Sequence, residues 1–64
     1  MVYPQLREQV EFIGSIADGL VDSIAIGHNR LVFSRYIDGK LVLFFYQKIG
    51  KSFVFSHSEL AWIT

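Results

Sequence analysis

Cysteine is absent from this 64-residue sequence, and proline occurs only once. Without cysteine, the chain forms no disulfide and offers no thiolate to a metal ion. A domain this short buries only about 60% of the surface of its unfolded chain, and natural domains of this size often gain stability from disulfides, metals or partner subunits. Because hydrophobic residues make up 52% of the chain, we expect a single domain over residues 1–64 that forms a homodimer or a larger homo-oligomer.

A surplus of charge is also lacking, because six basic and six acidic side chains cancel. Binders of nucleic acid usually need basic side chains in excess to neutralise phosphates, so the composition does not favour that class. The longest apolar run, Leu41 to Tyr46, is six residues, whereas a membrane-spanning helix needs about 20. The first residues lack the basic start and apolar run of a signal peptide. The expected location is the cytoplasm.

The strongest local pattern is Asp38-Gly39 between two runs rich in β-branched and aromatic residues. Asp-Gly is typical of a two-residue type I′ turn, in which both central residues have positive φ. The pattern predicts a hairpin of strands 31–37 and 41–47. In that register Phe33 lies opposite Phe44, and Leu31 lies opposite Tyr46.

Residues 4–17 are interpreted as an amphipathic helix. Pro4 suits a first helical position, where its missing N–H is no loss. Apolar residues then recur at intervals of four, three and four, which places them on one helical face: Leu6, Val10, Ile13 and Ala17. Asp18-Gly19 supplies the end of the helix.

Strands are predicted at residues 20–26, 31–37, 41–47 and 52–57. Residues 58–64 form a short C-terminal element, either a helix or a fifth strand, and good helix formers at 59–61 favour the helix. The predicted fold class is α+β, with the N-terminal helix packed on an antiparallel meander of four, or at most five, strands.

This meander has one strongly apolar side. A two-residue turn at His28-Asn29 sets Ile24 opposite Phe33 and Asp22 opposite Arg35. A four-residue loop at 48–51 sets Phe44 opposite Phe55 and Tyr46 opposite Phe53. The aromatic side therefore forms the core, and the predicted helix covers it. Its two rows consist of Ile24, Phe33, Phe44 and Phe55, and of Ile26, Leu31, Tyr46 and Phe53.

The opposite side of the predicted sheet is also apolar and has no charge at its centre. A solvated face of an antiparallel sheet should be mostly polar, so either the C-terminal element or a second subunit is expected to cover it. The residues predicted for this interface are Tyr36, Leu41, Leu43, Phe45, Val54 and Trp62.

The excess of apolar surface, with no evident catalytic or metal-binding motif, favours a non-enzymatic protein-interaction module such as a regulator, adaptor or inhibitor. No cofactor is expected. The alternative is nucleic-acid binding, since two turns at one end of the predicted sheet combine cations with nearby aromatic residues. The cationic residues of that alternative are His28, Arg30, Lys48 and Lys51.

A third hypothesis is an enzyme. In the predicted register Asp22, Arg35 and His57 fall in one cross-strand row, where an arginine and a carboxylate would stand beside a histidine. The favoured interpretation of this row is an ordinary cross-strand ion pair with a histidine at the rim of the sheet. The two histidines, His28 and His57, are expected near opposite ends of the sheet, so they do not predict a metal site.

Overall fold

The computed structural model describes residues 6–63, with side chains up to residue 61. These residues form one five-stranded sheet and a single short 3-10 turn between the first two strands. The 3-10 turn spans Ser15–Ala17. The strands are β1 (Arg7–Ile13), β2 (Val21–Ala25), β3 (Arg30–Ile37), β4 (Lys40–Ile49) and β5 (Ser52–Ile63).

The spatial order of the strands is β2-β1-β5-β4-β3. Strand β1 runs parallel to β5, and the other neighbouring pairs are antiparallel. The sheet curls into a half-barrel. The curl gives it a concave inner face, which holds the core, and a convex outer face.

The predicted α+β fold is wrong, because residues 7–13 form a strand and not part of a helix. Pro4, where that helix was predicted to begin, lies outside the described residues. Val10 and Phe12 are only 1% and 2% exposed. Residues two positions apart on a helix point about 200° from each other around the helix axis, whereas on a strand they lie on the same face. The alternation of Val10 and Phe12 with polar neighbours therefore overrides the helical spacing of Leu6 and Ile13, which are 75% and 44% exposed.

Gly14 ends β1 at a point where the predicted helix had an interior residue. Its φ of 92° lies in the region that favours glycine. A Cβ at this position would stand 3.0 Å from the Cβ of Phe55. The chain then makes its 3-10 turn, which places the buried Ala17 against the core, and returns as β2.

The predicted pairing of β2 with β3 is also wrong. Strand β2 pairs with β1, so that Glu8 lies opposite Ile24 and Val10 lies opposite Asp22. Strands β2 and β3 occupy the two opposite edges of the sheet. The long connection through Gly14 and the 3-10 turn is what returns the chain antiparallel to β1.

The hairpin of β3 and β4 is confirmed. Asp38 and Gly39 have φ values of 50° and 75°, as a type I′ turn requires. Phe33 pairs with Phe44 and Leu31 pairs with Tyr46.

The predicted register of β4 and β5 is shifted by two residues. The turn consists of residues 50–51 alone, so Tyr46 pairs with Phe55 and not with Phe53. Register irregularities follow at Phe45/Tyr46 and at Leu41/Val42. Residues 58–63 continue β5 as a strand, so the preference for a C-terminal helix is wrong and the alternative, a strand, is what the structure shows.

The core lies on the inner face and is mainly aromatic. Phe12 stacks on Phe53 at 5.3 Å between ring centroids and meets Tyr46 edge-on at 5.5 Å. Seven of the eight residues predicted for the core lie in it or pack against it, but the two rows are not assembled as predicted, and Ile26 is 56% exposed. The buried cluster comprises Val10, Phe12, Ala17, Phe44, Tyr46 and Phe53, with Ile24, Leu31, Phe33, Val42 and Phe55 packed against it.

Candidate functional site

The outer face of β3 and β4 brings most of the predicted interface together. Because alternate residues of a strand share a face, the odd-numbered residues of β4 point away from the core residues Phe44 and Tyr46. Tyr36 pairs with Leu41, and Val32 pairs with Phe45. We call this surface the outer strip. Its members are Val32, Tyr36, Leu41, Leu43, Phe45 and Val54. The backbone of Trp62, which was also predicted for the interface, lies beside Leu41. The side chain of Trp62 lies outside the described part of the structure.

The outer strip combines half-buried and exposed side chains. Leu41, Leu43 and Phe45 on β4 are half-buried. Val32 and Tyr36 on β3 are 50% and 64% exposed. Two strands thus present an apolar surface to the outside, interrupted on β3 by the exposed Ser34 opposite Leu43.

Beyond Val54, the outer face of β5 carries polar side chains, which corrects the expectation of an uncharged centre. The irregularity at Phe45/Tyr46 leaves Ser56 as an extra residue, so that Phe45 pairs with His57 and Leu43 pairs with Glu59. A one-residue shift transfers side chains to the opposite face of a sheet. His57 and Glu59 therefore flank the outer strip, and His57 is not on the aromatic side where it was predicted.

A groove of about 310 Å³ lies at the end of this face near the start of β3. The rings of Phe45 and His57 stack in it with 4.6 Å between centroids and 7° between planes. His57 Nδ1 lies 3.0 Å from Ser56 Oγ, and His57 Nε2 lies 3.3 Å from Glu59 Oε1. The groove is lined by Arg30, Phe45, Tyr46, Gln47, Ser56 and His57.

A histidine between a serine and a carboxylate has the components of a hydrolytic triad. Here, however, the side chains of His57 and Glu59 are 54% and 59% exposed. In water such contacts are weak, and Ser56 and His57 are adjacent on an exposed strand. The arrangement fixes the orientation of the imidazole ring and does not by itself indicate catalysis.

The enzyme row predicted from Asp22, Arg35 and His57 is not assembled. Asp22 lies on β2 and Arg35 on β3, at opposite edges of the sheet. Arg35 pairs with Val42, and Val42 in turn pairs with Leu60. The row depended on a β2–β3 hairpin that the fold does not contain.

The predicted basic end is gathered only in part. Arg30 lies opposite Gln47, and the amide of Lys48 donates to the carbonyl of Asn29 at 2.8 Å, which brings the 28–30 segment beside the end of β4. Lys51 lies in the neighbouring β4–β5 turn. The Lys48 ammonium, however, forms an ion pair with Glu8 on the inner face, where the two side chains are 16% and 23% exposed. One of the four predicted cations is therefore neutralised within the chain.

Sequence reasoning placed the outer strip correctly on β4 but missed the groove. The alternation that starts from the Asp38-Gly39 turn was enough to assign Leu41, Leu43 and Phe45 to one face. The groove depends on the extra residue at Ser56, and no local pattern in the sequence marks that position.

Comparison with protein-family models, with curated proteins and with solved structures found no match for this chain. Within residues 6–63 no helix has the length and apolar character needed to cross a membrane. Among the same residues no three histidine, aspartate or glutamate side chains are close enough together to hold a metal ion.

Proposed function

We propose that this protein is a small, non-enzymatic protein-interaction module that acts as a homodimer, with the outer strip as its contact surface. The observation that supports the proposal is the apolar row Leu41, Leu43 and Phe45, flanked on β3 by the exposed Val32 and Tyr36. A regulator, adaptor or inhibitor works by offering contact area of this kind.

The two faces of the sheet differ in what covers them. The inner face is covered by the chain's own aromatic core. The curl of the sheet therefore buries only one of its two faces. Burying apolar area contributes about 25 cal/mol per Å², and none of the residues that form the outer strip is charged. A second copy supplies the same strip, so that two apolar surfaces cover each other, as in an isologous interface.

Sedimentation equilibrium at micromolar concentration tests this proposal. We expect a mass of at least twice the 7.4 kDa of one chain. Leu43→Arg places a cation in the middle of the strip and should yield the monomer. Ser34→Arg should do the same, and because Ser34 is an exposed residue opposite Leu43, it does so without disturbing the core.

The matched control is Leu6→Arg, since Leu6 is 75% exposed and precedes β1. This variant should keep the mass of the unsubstituted protein. A monomeric unsubstituted protein would refute the proposal, and so would Ser34→Arg and Leu43→Arg variants that remain folded and dimeric.

The nucleic-acid alternative has less support, because Lys48 is paired with Glu8. It predicts binding that weakens as salt rises and that falls when Lys51 is replaced by alanine. A mobility-shift assay at two salt concentrations separates it from the proposed module. Binding that is absent or insensitive to salt would end this alternative.

The protein partner and the location are further parts of the proposal. A pull-down from the native host with the Leu43→Arg variant as the control would identify proteins that depend on the outer strip. The cytoplasmic location expected from the sequence stays a prediction, which fractionation of the same host tests.

A further inference from the structure

The groove at Arg30 is a second feature of the outer face and does not belong to the apolar contact surface. Tyr36 and Leu41 lie at the opposite end of β3 and β4 from Arg30 and Gln47. Only Phe45 is shared between the groove and the outer strip. The groove thus offers a function beyond the proposed dimer.

Arg30 provides the positive charge of this groove. It begins β3, and its guanidinium forms no hydrogen bond or ion pair with another described residue. None of the described residues that line the groove is acidic, and the carboxylate of Glu59 lies 3.3 Å from His57 Nε2. An arginine fork with free donors binds carboxylate and phosphate groups in a bidentate manner.

The opposite wall is flat and partly apolar. The rings of Phe45 and His57 stack with nearly parallel planes, and the two ring nitrogens of His57 contact Ser56 and Glu59. Flat rings prefer offset stacking or edge contacts with other rings. The side chain of Gln47 adds an amide that both donates and accepts hydrogen bonds beside Arg30.

We propose that this groove binds a small aromatic oxyanion, with the carboxylate or phosphate group on Arg30 and the ring against Phe45 and His57. The groove volume of about 310 Å³ stands at the lower end of the range for small-molecule sites, about 300–1,000 Å³. It therefore accommodates a ligand of one ring with one anionic group.

The probes for this proposal are phenyl phosphate and benzoate, with benzyl alcohol as the neutral comparison. Each is titrated into the ¹⁵N-labelled full chain, and amide chemical shifts are followed. We expect both anions, or whichever of them the site prefers, to shift the resonances of Arg30, Gln47, Ser56 and His57. The anion that binds with the lower Kd identifies the preferred ligand as a phosphate or a carboxylate.

Arg30→Gln should raise the Kd of the anions about tenfold or more, since it removes a charge-assisted hydrogen-bonding pair. Lys40→Gln is the matched control, because it removes one cation at the opposite end of β4 and should leave the Kd unchanged. Ser34→Arg, which should be monomeric, is expected to retain binding, so that this site and the proposed dimer are tested separately.

Several results would overturn the proposal. In the titrations of the unsubstituted chain, these are benzyl alcohol binding as tightly as the anions, chemical-shift changes confined to residues outside the groove, and no changes at millimolar probe. In the Arg30→Gln variant, the contradicting result is an unchanged Kd for the anions. If Arg30→Gln does not fold, the titrations of the unsubstituted chain decide the question. The proposal then stands only if the anions shift the groove resonances and benzyl alcohol does not.

Discussion

At the scale of single residues, Tyr46 connects the core to the chain reversal after β1. Its ring is 1% exposed and contacts Phe12, Phe33 and Phe55. Its hydroxyl accepts a hydrogen bond from the Ala17 amide at 3.0 Å and donates one to the Gly14 carbonyl. One phenol thereby satisfies two backbone groups of a loop that has little regular structure.

Replacing Tyr46 by phenylalanine should lower the free energy of unfolding by about 1–3 kcal/mol, because both backbone groups lose their partner while the ring still packs. Urea denaturation measures the change. Ile49→Ala is the control, since Ile49 is 62% exposed, and it should alter stability by no more than about 0.5 kcal/mol. Equal stability of Tyr46→Phe and the unsubstituted protein would mean that the phenol does not hold the loop.

Glu8 and Lys48 form the second residue-scale feature, an ion pair between β1 and β4 on the inner face. Lys48→Met keeps much of the stem and removes the charge, which leaves the carboxylate of Glu8 alone. We expect a loss of about 1–2 kcal/mol, between the values for exposed and buried pairs. Adding Glu8→Gln to Lys48→Met should recover part of that loss. Strictly additive effects in this double-mutant cycle would contradict the pairing.

At the scale of elements, local patterns and distant pairings contributed differently to what could be predicted. The β3–β4 hairpin follows from Asp38-Gly39, because turn chemistry fixes its register. The inward-facing residues of β3 and β4 and the apolar outer side of β4 followed from the same alternation. These features depend on residues that are close in sequence.

The features that were missed depend on other information. Residues 6–17 match a helical spacing through Leu6 and Ile13, and a strand spacing through Val10 and Phe12. The pairing of β1 with β2 and the parallel pairing of Phe12 with Phe53, 41 positions along the chain, decide in favour of the strand. The extra residue at Ser56, which turns His57 and Glu59 outward, likewise arises from the pairing of β4 with β5.

Gly14 is the one local signal against the helix, and its role is testable. Gly14→Ala should cost about 1–3 kcal/mol of stability, since φ is positive and the new Cβ would stand 3.0 Å from Phe55. Gly19→Ala is the matched control, because its φ is 86° but its Cβ would meet nothing within 4 Å. Thermal or urea unfolding should show the larger loss for Gly14→Ala. Equal losses of stability in the two variants would mean that the close approach to Phe55 does not contribute to the cost of Gly14→Ala.

At the scale of the whole molecule, the curl of the sheet produces two surfaces of different kinds. The inner face is closed by aromatic packing and the partly buried Glu8–Lys48 pair. The outer face leaves Val32 and Tyr36 substantially exposed beside the leucines of β4. A chain with this division covers its own core but not its outer strip, which is why a second copy is the proposed partner.

The most direct test mixes ¹³C-labelled and unlabelled chains in equal amounts and records isotope-filtered nuclear Overhauser effects, which arise only between different copies. We predict contacts between copies that involve the side chains of Leu41, Leu43 and Phe45. Such contacts confined to β2 or to the inner face, or none at millimolar concentration, would contradict the proposed homodimer.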